Sequence, residues 1–214
     1  MPPRVVVGIA GGSASGKSAL ASALAAALQR LHQRRVRILT TDRYMHNDRS
    51  LGPTFFSQAT GTHMFDANHP DAIAWNQVLR DLDDLLQQTD GPEIILMEGH
   101  LLLHEPTIRE RLDIRFFVDL DADERALRRL LRDMQGGRAN RDPNFIATYY
   151  RESARVGHMR YIEPSRVHAD LIVRGDAVWE RIEPFLVAII EDRLAHAEPV
   201  QRIEIATNRS PPAT

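Results

Sequence analysis

The sequence predicts an α/β fold, a three-layer sandwich in which a parallel β-sheet carries helices on both faces. Two features of the 214 residues support this expectation. Short apolar runs alternate with longer segments of helical periodicity, as they do when parallel strands are joined by helical crossovers. The first apolar run also leads through a glycine-rich turn into a segment rich in alanine and leucine. In a sheet of this kind, ligands bind beyond the carboxyl ends of the strands.

The sequence predicts five strands and five helices. Strands are expected at 4–10, 37–41, 93–98, 115–118 and 171–173, where apolar and β-branched residues cluster. Helices are expected at 18–31, 71–88, 123–134, 145–160 and 177–195. The first of these contains neither Gly nor Pro, and the second places its apolar residues on one side. We expect a single domain over 1–197 and a mobile tail over 198–214.

The turn after the first strand matches a phosphate-binding motif. It reads Gly11-Gly12-Ser13-Ala14-Ser15-Gly16-Lys17-Ser18, which fits G-x-x-x-x-G-K-[ST]. Lys17 is the only lysine among 27 basic residues, and the other 26 are arginine. A slim ammonium fits along a phosphate chain inside a tight loop, where a planar guanidinium does not replace it. Because a strand precedes the motif and a helix follows it, we predict a P-loop that binds a nucleoside triphosphate, rather than a chance Gly/Ser turn.

Two carboxylates follow predicted strands and are therefore expected near this loop. Asp42 comes after the second strand, where it could take the proton of an attacking hydroxyl or hold that hydroxyl in line with the γ-phosphate. The alternative for Asp42 is an N-cap or turn aspartate. Glu98 ends the third strand, where it could organise Mg²⁺ together with the Ser18 hydroxyl. The alternative for Glu98 is a salt bridge at the strand end.

The helix predicted at 123–134 has two chemically different faces. One face carries Leu127, Leu130, Leu131 and Met134, and the opposite face carries Arg125, Arg128, Arg129 and Arg132. The arginines form either a solvated helix face or a lid over about 125–142 that closes on phosphates and stabilises charge during transfer. The run Gly136-Gly137-Arg138 would give such a lid a hinge and a further donor.

These segments, taken in order, resemble the uridine kinase and phosphoribulokinase superfamily. The matching residues are 8–18, Phe65-Asp66 with His69-Pro70-Asp71-Ala72, Glu98-Gly99, 123–125 with 128–133, and Ile162-Glu163-Pro164 with 169–173. The resemblance implies ATP and Mg²⁺ as cofactors and Asp42 as the catalytic carboxylate. It also implies an acidic residue near Asp66 on the sugar hydroxyls, and lid arginines on the phosphates. We assign catalysis to Lys17, Asp42, Arg129 and Arg132, and further ATP contacts to Arg128 and Arg138.

The departures from the family pattern concern the acceptor. The family's Phe-Tyr pair is Tyr44-Met45 here, and the inserted Ala67-Asn68 leaves either Asp66 or Asn68 as the residue facing the sugar. The family's lid Arg-Gly-Arg is Gly136-Gly137-Arg138, one arginine fewer. His100 replaces an apolar residue and is either an acceptor contact or a hydrogen-bonded structural histidine. We name Tyr44, Asp66, Asn68, His69 and His100 as candidate acceptor contacts.

A hairpin that carries base-holding Tyr and His residues precedes the Glu-Gly strand in the family. Here only about 89–92 join the second predicted helix to that strand, so the hairpin has no room. Recognition of the acceptor must then come from Tyr44, from the segment 51–68 with Phe55, Phe56 and His63, or from the lid. Stacking and apolar contacts of this kind discriminate weakly between acceptors.

The composition excludes several other classes of protein. The net charge of −2 gives no basic field for nucleic acid, and the absence of cysteine excludes disulfides and thiolate zinc sites. No apolar run reaches the length of a membrane span and no signal peptide is apparent, so we expect a cytoplasmic location. A homo-oligomer is compatible with the sequence.

We therefore expect a kinase that phosphorylates a hydroxyl of a small molecule, first of all a nucleoside such as uridine or cytidine. The alternatives are another acceptor, such as nicotinamide riboside, pantothenate or a sugar phosphate, or an ATP-binding regulatory switch. A pure switch would need neither an acceptor base nor an arginine clamp.

Overall fold

The computed structural model describes residues 3–46, 48, 52–137 and 140–197. The strands are β1 (Val5–Gly11), β2 (Val36–Thr40), β3 (Thr54–Ser57), β4 (Thr62–Phe65), β5 (Ile94–Glu98), β6 (Ile114–Asp119) and β7 (Leu171–Arg174). Five of them form a parallel sheet in the order β2-β5-β1-β6-β7, and β3 pairs with β4 in a separate antiparallel hairpin.

The helices connect the strands of the parallel sheet. They are α1 (Lys17–His32), α2 (Trp75–Gln87), α3 (Pro106–Arg109), α4 (Ala122–Arg132), α5 (Pro143–Tyr149), α6 (Arg155–Gly157), α7 (Glu163–Ser165) and α8 (Trp179–Ala195). Short π-helical segments join α5, α6 and α7, so that the backbone stays helical over 143–165.

Two apolar cores lie on the two faces of the sheet and account for the three layers. Along β1, Val5, Val7 and Ile9 belong to one core and Val6 and Ala10 to the other, as the alternation of side chains in a strand requires. Helices α1 and α8 cover the first core, while α2 and α3 cover the second. Burying one large aliphatic side chain contributes about 1.5–3 kcal/mol, so both layers stabilise the sheet substantially. The predicted α/β sandwich is confirmed.

The strand register brings the carboxyl ends of three strands together. Glu98, the last residue of β5, pairs with Ile9 of β1 on one side and with Thr40 of β2 on the other. The glycine-rich turn leaves β1 at this edge, and Thr41–Tyr44 leave β2 as a short 3₁₀ turn. The candidate residues after these strands therefore meet at one edge of the sheet.

The structure departs from the predicted elements in a few places. The helix expected from 71 begins at Trp75, because Pro70–Ala72 form a separate 3₁₀ turn. The hairpin β3–β4 was not predicted at all. Between α2 and β5 the described chain forms no hairpin, in agreement with the short link seen in the sequence. The tail expected at 198–214 lies outside the described residues.

Candidate active site

The turn after β1 has the backbone geometry of an anion site. Gly16 caps α1 with a φ of 105°, and Ala14 also has a positive φ of 64°. The Ser15 N–H donates to the Gly12 carbonyl at 3.1 Å, which closes the loop. The first turn of α1 contains no acidic residue, so its free N–H groups favour an anion. Lys17 is only 7% exposed, held inside the loop.

Ser18 and Glu98 meet beside this loop and fit a bound Mg²⁺. The Ser18 hydroxyl donates to Glu98 Oε2 at 3.0 Å, which satisfies a carboxylate that is only 4% exposed. In the described part of the chain, no three or more His, Cys, Asp or Glu residues cluster as a metal cage. Mg²⁺ in phosphate-transfer sites needs only one or two protein oxygens besides phosphate and water. Ser18 and Glu98 supply oxygens of that kind.

A cavity of about 580 Å³ runs from the loop to the hairpin β3–β4. Its described lining residues are Ser13, Lys17, Ser18, Asp42, Arg43, Met45, His46, Met64, Phe65, Ala67, Asn68, His100, Arg129, Arg132, Asp133, Asn140, Phe145, Ile146 and Tyr149. Its volume is within the range of small-molecule sites. One end therefore carries the loop lysine and hydroxyls, and the other end is mainly apolar and aromatic.

Asp42 lies between these two ends. It sits in the 3₁₀ turn after β2, and its side chain is 31% exposed at the cavity wall. His100, beyond the end of β5, makes a hydrogen bond between its Nδ1 and Asp42 Oδ1 at 2.9 Å. The other ring nitrogen, Nε2, lies 3.2 Å from the Ala67 carbonyl oxygen. His100 therefore reaches the cavity while it holds two other parts of the wall.

The far end of the cavity is organised by Tyr149 of α5. Its hydroxyl donates to the Phe65 carbonyl at 3.1 Å and accepts from the Ala67 N–H at 3.1 Å. Its ring packs against Phe145 and lies 5.7 Å from the Arg129 guanidinium. Tyr149 thus connects the hairpin β3–β4, helix α5 and helix α4.

Of the two residues left open for the sugar, the structure brings Asn68 to the cavity. Its Nδ2 donates to Ser153 Oγ at 2.7 Å, and Ser153 Oγ in turn donates to Asp66 Oδ1 at 2.7 Å. The same Asp66 oxygen accepts the Asn68 N–H at 3.0 Å. Asp66 therefore helps to hold Asn68 in place. The position of Asp66 gives no support for its assignment as an acceptor contact.

Helix α4 turns two of its arginines toward the interior and two of its leucines toward solvent, which is the reverse of an ordinary surface helix. Arg125 and Arg129 are 6% and 7% exposed, whereas Leu127 and Leu131 are each 58% exposed. The interpretation of the arginines as a solvated face is therefore wrong for Arg125 and Arg129. The arginine face is turned inward, where a buried carboxylate just beyond the end of the helix pairs with it.

That partner is Asp133, which is only 3% exposed. Its Oδ1 accepts from Arg132 Nε at 2.9 Å, and its Oδ2 lies 3.6 Å from Arg129 Nε. Both arginines line the cavity together with Asp133. The two arginines assigned to catalysis are thus held side by side, facing the interior of the site.

The other arginines of α4 contact the loop's surroundings. Arg125 donates from Nε to the Leu120 carbonyl at 2.9 Å, and an added Cβ on Gly12 would come within 2.5 Å of its guanidinium. Arg128 donates to the Gly175 carbonyl at 3.1 Å, beside the P-loop. Arg128 is therefore placed outside the cavity wall described here, and Arg138 lies outside the described residues.

Tyr44 and His69, both proposed as acceptor contacts, point elsewhere. The Tyr44 hydroxyl donates to Asp81 at 2.7 Å, and burial, followed by Asp81, raises the pKa of Tyr44 to about 12. The ring of His69 packs on Tyr161, and its Nδ1 accepts the Asp71 N–H at 3.2 Å. Both side chains therefore have structural partners, and neither position supports a contact with the acceptor.

Sequence reasoning missed Tyr149 and the hairpin. The sequence signal for the hairpin was Gly61, because glycine favours a tight turn between two strands. In the structure its φ is 66°. Tyr149 had none, because its neighbours in space come from segments 84 and 82 residues away.

Comparison with known proteins decides the family. A uridine kinase of Ligilactobacillus salivarius is 30% identical over 91% of this chain and 96% of its own length. A uridine kinase of Chloroflexus aurantiacus is 34% identical over 86% of this chain and 97% of its own. The chain belongs to the phosphoribulokinase/uridine kinase family. The model of that family matches residues 80–178, and the chain is accordingly a kinase.

Solved structures support the fold alone. A putative fructose transport system kinase from Silicibacter superposes with a TM-score of 0.64 at 20% identity, over 81% of this chain and 91% of its own. A possible uridine kinase from Bacillus stearothermophilus gives 0.54 at 17% identity, over 80% of this chain and 89% of its own. Among the described residues, no helix has both the length and the apolar composition to cross a bilayer.

Proposed function

We propose that this kinase transfers the γ-phosphate of ATP to a hydroxyl of a pyrimidine nucleoside, uridine or cytidine. The observation that carries the proposal is the shared cavity, which has Lys17 and Ser18 at one end and an apolar, aromatic end beyond Asp42. The kinship with proteins named uridine kinase over nearly their full length supports the same acceptor class.

The proposed reaction assigns a role to each group. The loop N–H groups and Lys17 bind the phosphates of ATP, and Arg129 and Arg132 stabilise charge on the group in transfer. A Mg²⁺ ion, held by Ser18 and Glu98, would neutralise charge on the phosphate oxygens. Asp42 orients the acceptor hydroxyl and takes its proton as the new O–P bond forms. The bond from the γ-phosphorus to the bridging oxygen breaks, and ADP leaves.

The acceptor end offers contacts to a molecule with a flat apolar part. Met64, Phe65, Phe145 and Tyr149 offer rings and a thioether for stacking on a base. Asn68 offers the polar group for a sugar hydroxyl.

Selectivity between related bases should be loose. Strong rejection of a wrong base requires buried polar groups that only the right base satisfies. The link from α2 to β5 contains no hairpin to supply such groups. We expect uridine and cytidine to be used with kcat/KM values within about tenfold of each other, since one hydrogen bond contributes about 1 kcal/mol.

The test is ADP formation with a panel of acceptors. The panel contains uridine, cytidine, nicotinamide riboside, pantothenate, fructose and a sugar phosphate, with kcat/KM measured for each. The Lys17→Ala protein serves as the control for contaminating kinases. Highest values for the two pyrimidine nucleosides support the proposal. A clear preference for any other acceptor, or ADP formation that no acceptor stimulates, refutes it.

A further inference from the structure

His100 connects the candidate base to the segment that lines the acceptor end. Its Nδ1 bonds to Asp42 Oδ1 at 2.9 Å, and its Nε2 lies 3.2 Å from the carbonyl oxygen of Ala67. The histidine side chain is 6% exposed, so the ring is held by packing as well as by these two contacts. Ala67 directly precedes Asn68, the polar group of the acceptor end.

The geometry matters because the direction of the Asp42 carboxylate decides whether it can reach the acceptor hydroxyl. Asp42 sits in a four-residue 3₁₀ turn, and its side chain is 31% exposed to the cavity. Phosphoryl transfer needs a defined geometry, and an unproductive rotamer of the carboxylate would lower the rate. A fixed N–H donor on one carboxylate oxygen selects a single rotamer.

We infer that His100 is a positioning residue that acts through Asp42. Its ring sets the direction of the Asp42 carboxylate and, by its second contact, the distance between that carboxylate and the 66–69 segment. This inference rests on the proposed role of Asp42 in phosphoryl transfer. The alternative, a hydrogen-bonded structural histidine, would make the same two contacts but would affect stability rather than kcat.

The two contacts can be separated by substitution. The amide nitrogen of Asn lies near the position of histidine Nδ1, so His100→Asn keeps a donor for Asp42. The longer Gln reaches the position of Nε2, so His100→Gln keeps the contact with Ala67 only. His100→Ala removes both contacts. The exposed His196, whose side chain is 73% accessible, gives His196→Ala as the matched control.

The measured quantities are kcat, the KM for ATP and the KM for the acceptor. His100→Ala should lower kcat about 10- to 100-fold, the loss typical of a misplaced catalytic group, with the KM for ATP nearly unchanged. His100→Asn should recover most of the kcat, and His100→Gln should recover the acceptor KM more than kcat. His196→Ala should behave as wild type. A His100→Ala protein that loses thermal stability but keeps its kcat would overturn the inference.

The decisive arm is a double-mutant cycle with Asp42→Asn. If His100 acts through Asp42, adding His100→Ala to Asp42→Asn should lower kcat by less than about twofold more. Additive losses would overturn the inference, as would a kcat for His100→Asn no better than that of His100→Ala. A near-normal kcat for Asp42→Asn alone would refute the proposed role of Asp42. An inactive Asp42→Asn with fully active His100 variants would refute only the role of His100.

Discussion

Lys17 stays a lysine in a chain whose other 26 basic residues are arginines. The residue is 7% exposed within the loop, and a wide, planar guanidinium is not interchangeable with a slim ammonium there. We expect Lys17→Ala to lower kcat by at least about 100-fold, the effect of removing one preorganised donor from a transition state. Lys17→Arg should fail as well. The measurement is turnover together with the melting temperature, and near-normal turnover by either folded variant would contradict the assignment.

His158 makes a prediction about stability against pH. Burial, with Arg125 next, lowers the pKa of His158 from its ordinary 6.5 to about 4. Between pH 6.5 and 4, His158 is protonated in the unfolded chain but mostly neutral in the native state. The free energy of unfolding therefore decreases as the pH falls below 6.5. Each pKa unit corresponds to about 1.4 kcal/mol.

The His158→Gln variant tests this, since Gln keeps a donor near the Glu163 carboxylate, which lies 3.3 Å from His158 Nε2. Its melting temperature should fall less steeply than that of wild type between pH 6.5 and 4.5. Parallel curves for the two proteins would show that His158 does not carry this dependence.

The sequence locates a residue relative to a strand end but does not predict where its side chain points. Asp42, Glu98 and Lys17 could be named because each lies at or just beyond the carboxyl end of a strand, at the ligand edge of the sheet. Tyr44 follows the same strand as Asp42, yet it turns to Asp81 on α2. The choice between Asp66 and Asn68 depended on Ser153, which is 85 residues from Asn68 in the sequence.

Among the elements, α4 illustrates a limit of periodicity. The pattern predicted two opposite faces correctly, but the usual rule would bury the leucines. The structure buries Arg129 instead, because Asp133 and the ring of Tyr149 provide partners for its charge. Partners that come from distant segments cannot be read from the helix's own sequence.

This orientation predicts different effects for two neighbouring arginines. Arg129→Ala should lower both kcat and the melting temperature, because it leaves Asp133 buried with one cation fewer. Arg128, whose side chain is 38% exposed, should lower stability by less than about 1 kcal/mol when changed to Ala. Kinetics and thermal melts of both variants give the comparison.

The exposed leucine face supplies the control. Leu131→Gln should change stability by no more than about 0.5 kcal/mol, as expected for a surface position. A large loss of stability in Leu131→Gln, with none in Arg129→Ala, would contradict the inward orientation of the arginines.

At the scale of the whole molecule, the layers were predictable and the strand order was not. Apolar strand-like runs separated by helices left a parallel sandwich as the natural arrangement. The site lies at one edge because β5 runs between β1 and β2, with Glu98 paired to both neighbours. That order follows from long-range packing of two cores, which no local pattern in the sequence specifies.

Transfer of label from [γ-³²P]ATP to uridine tests the central claim most directly. Wild type should place the label in a uridine monophosphate, and only when uridine is present. Asp42→Asn should slow this transfer by about 10²–10⁴-fold, the usual contribution of a general base, with little change in the KM for ATP. Label that stays in ATP, or passes to inorganic phosphate at a rate that uridine and cytidine do not alter, would contradict a nucleoside kinase.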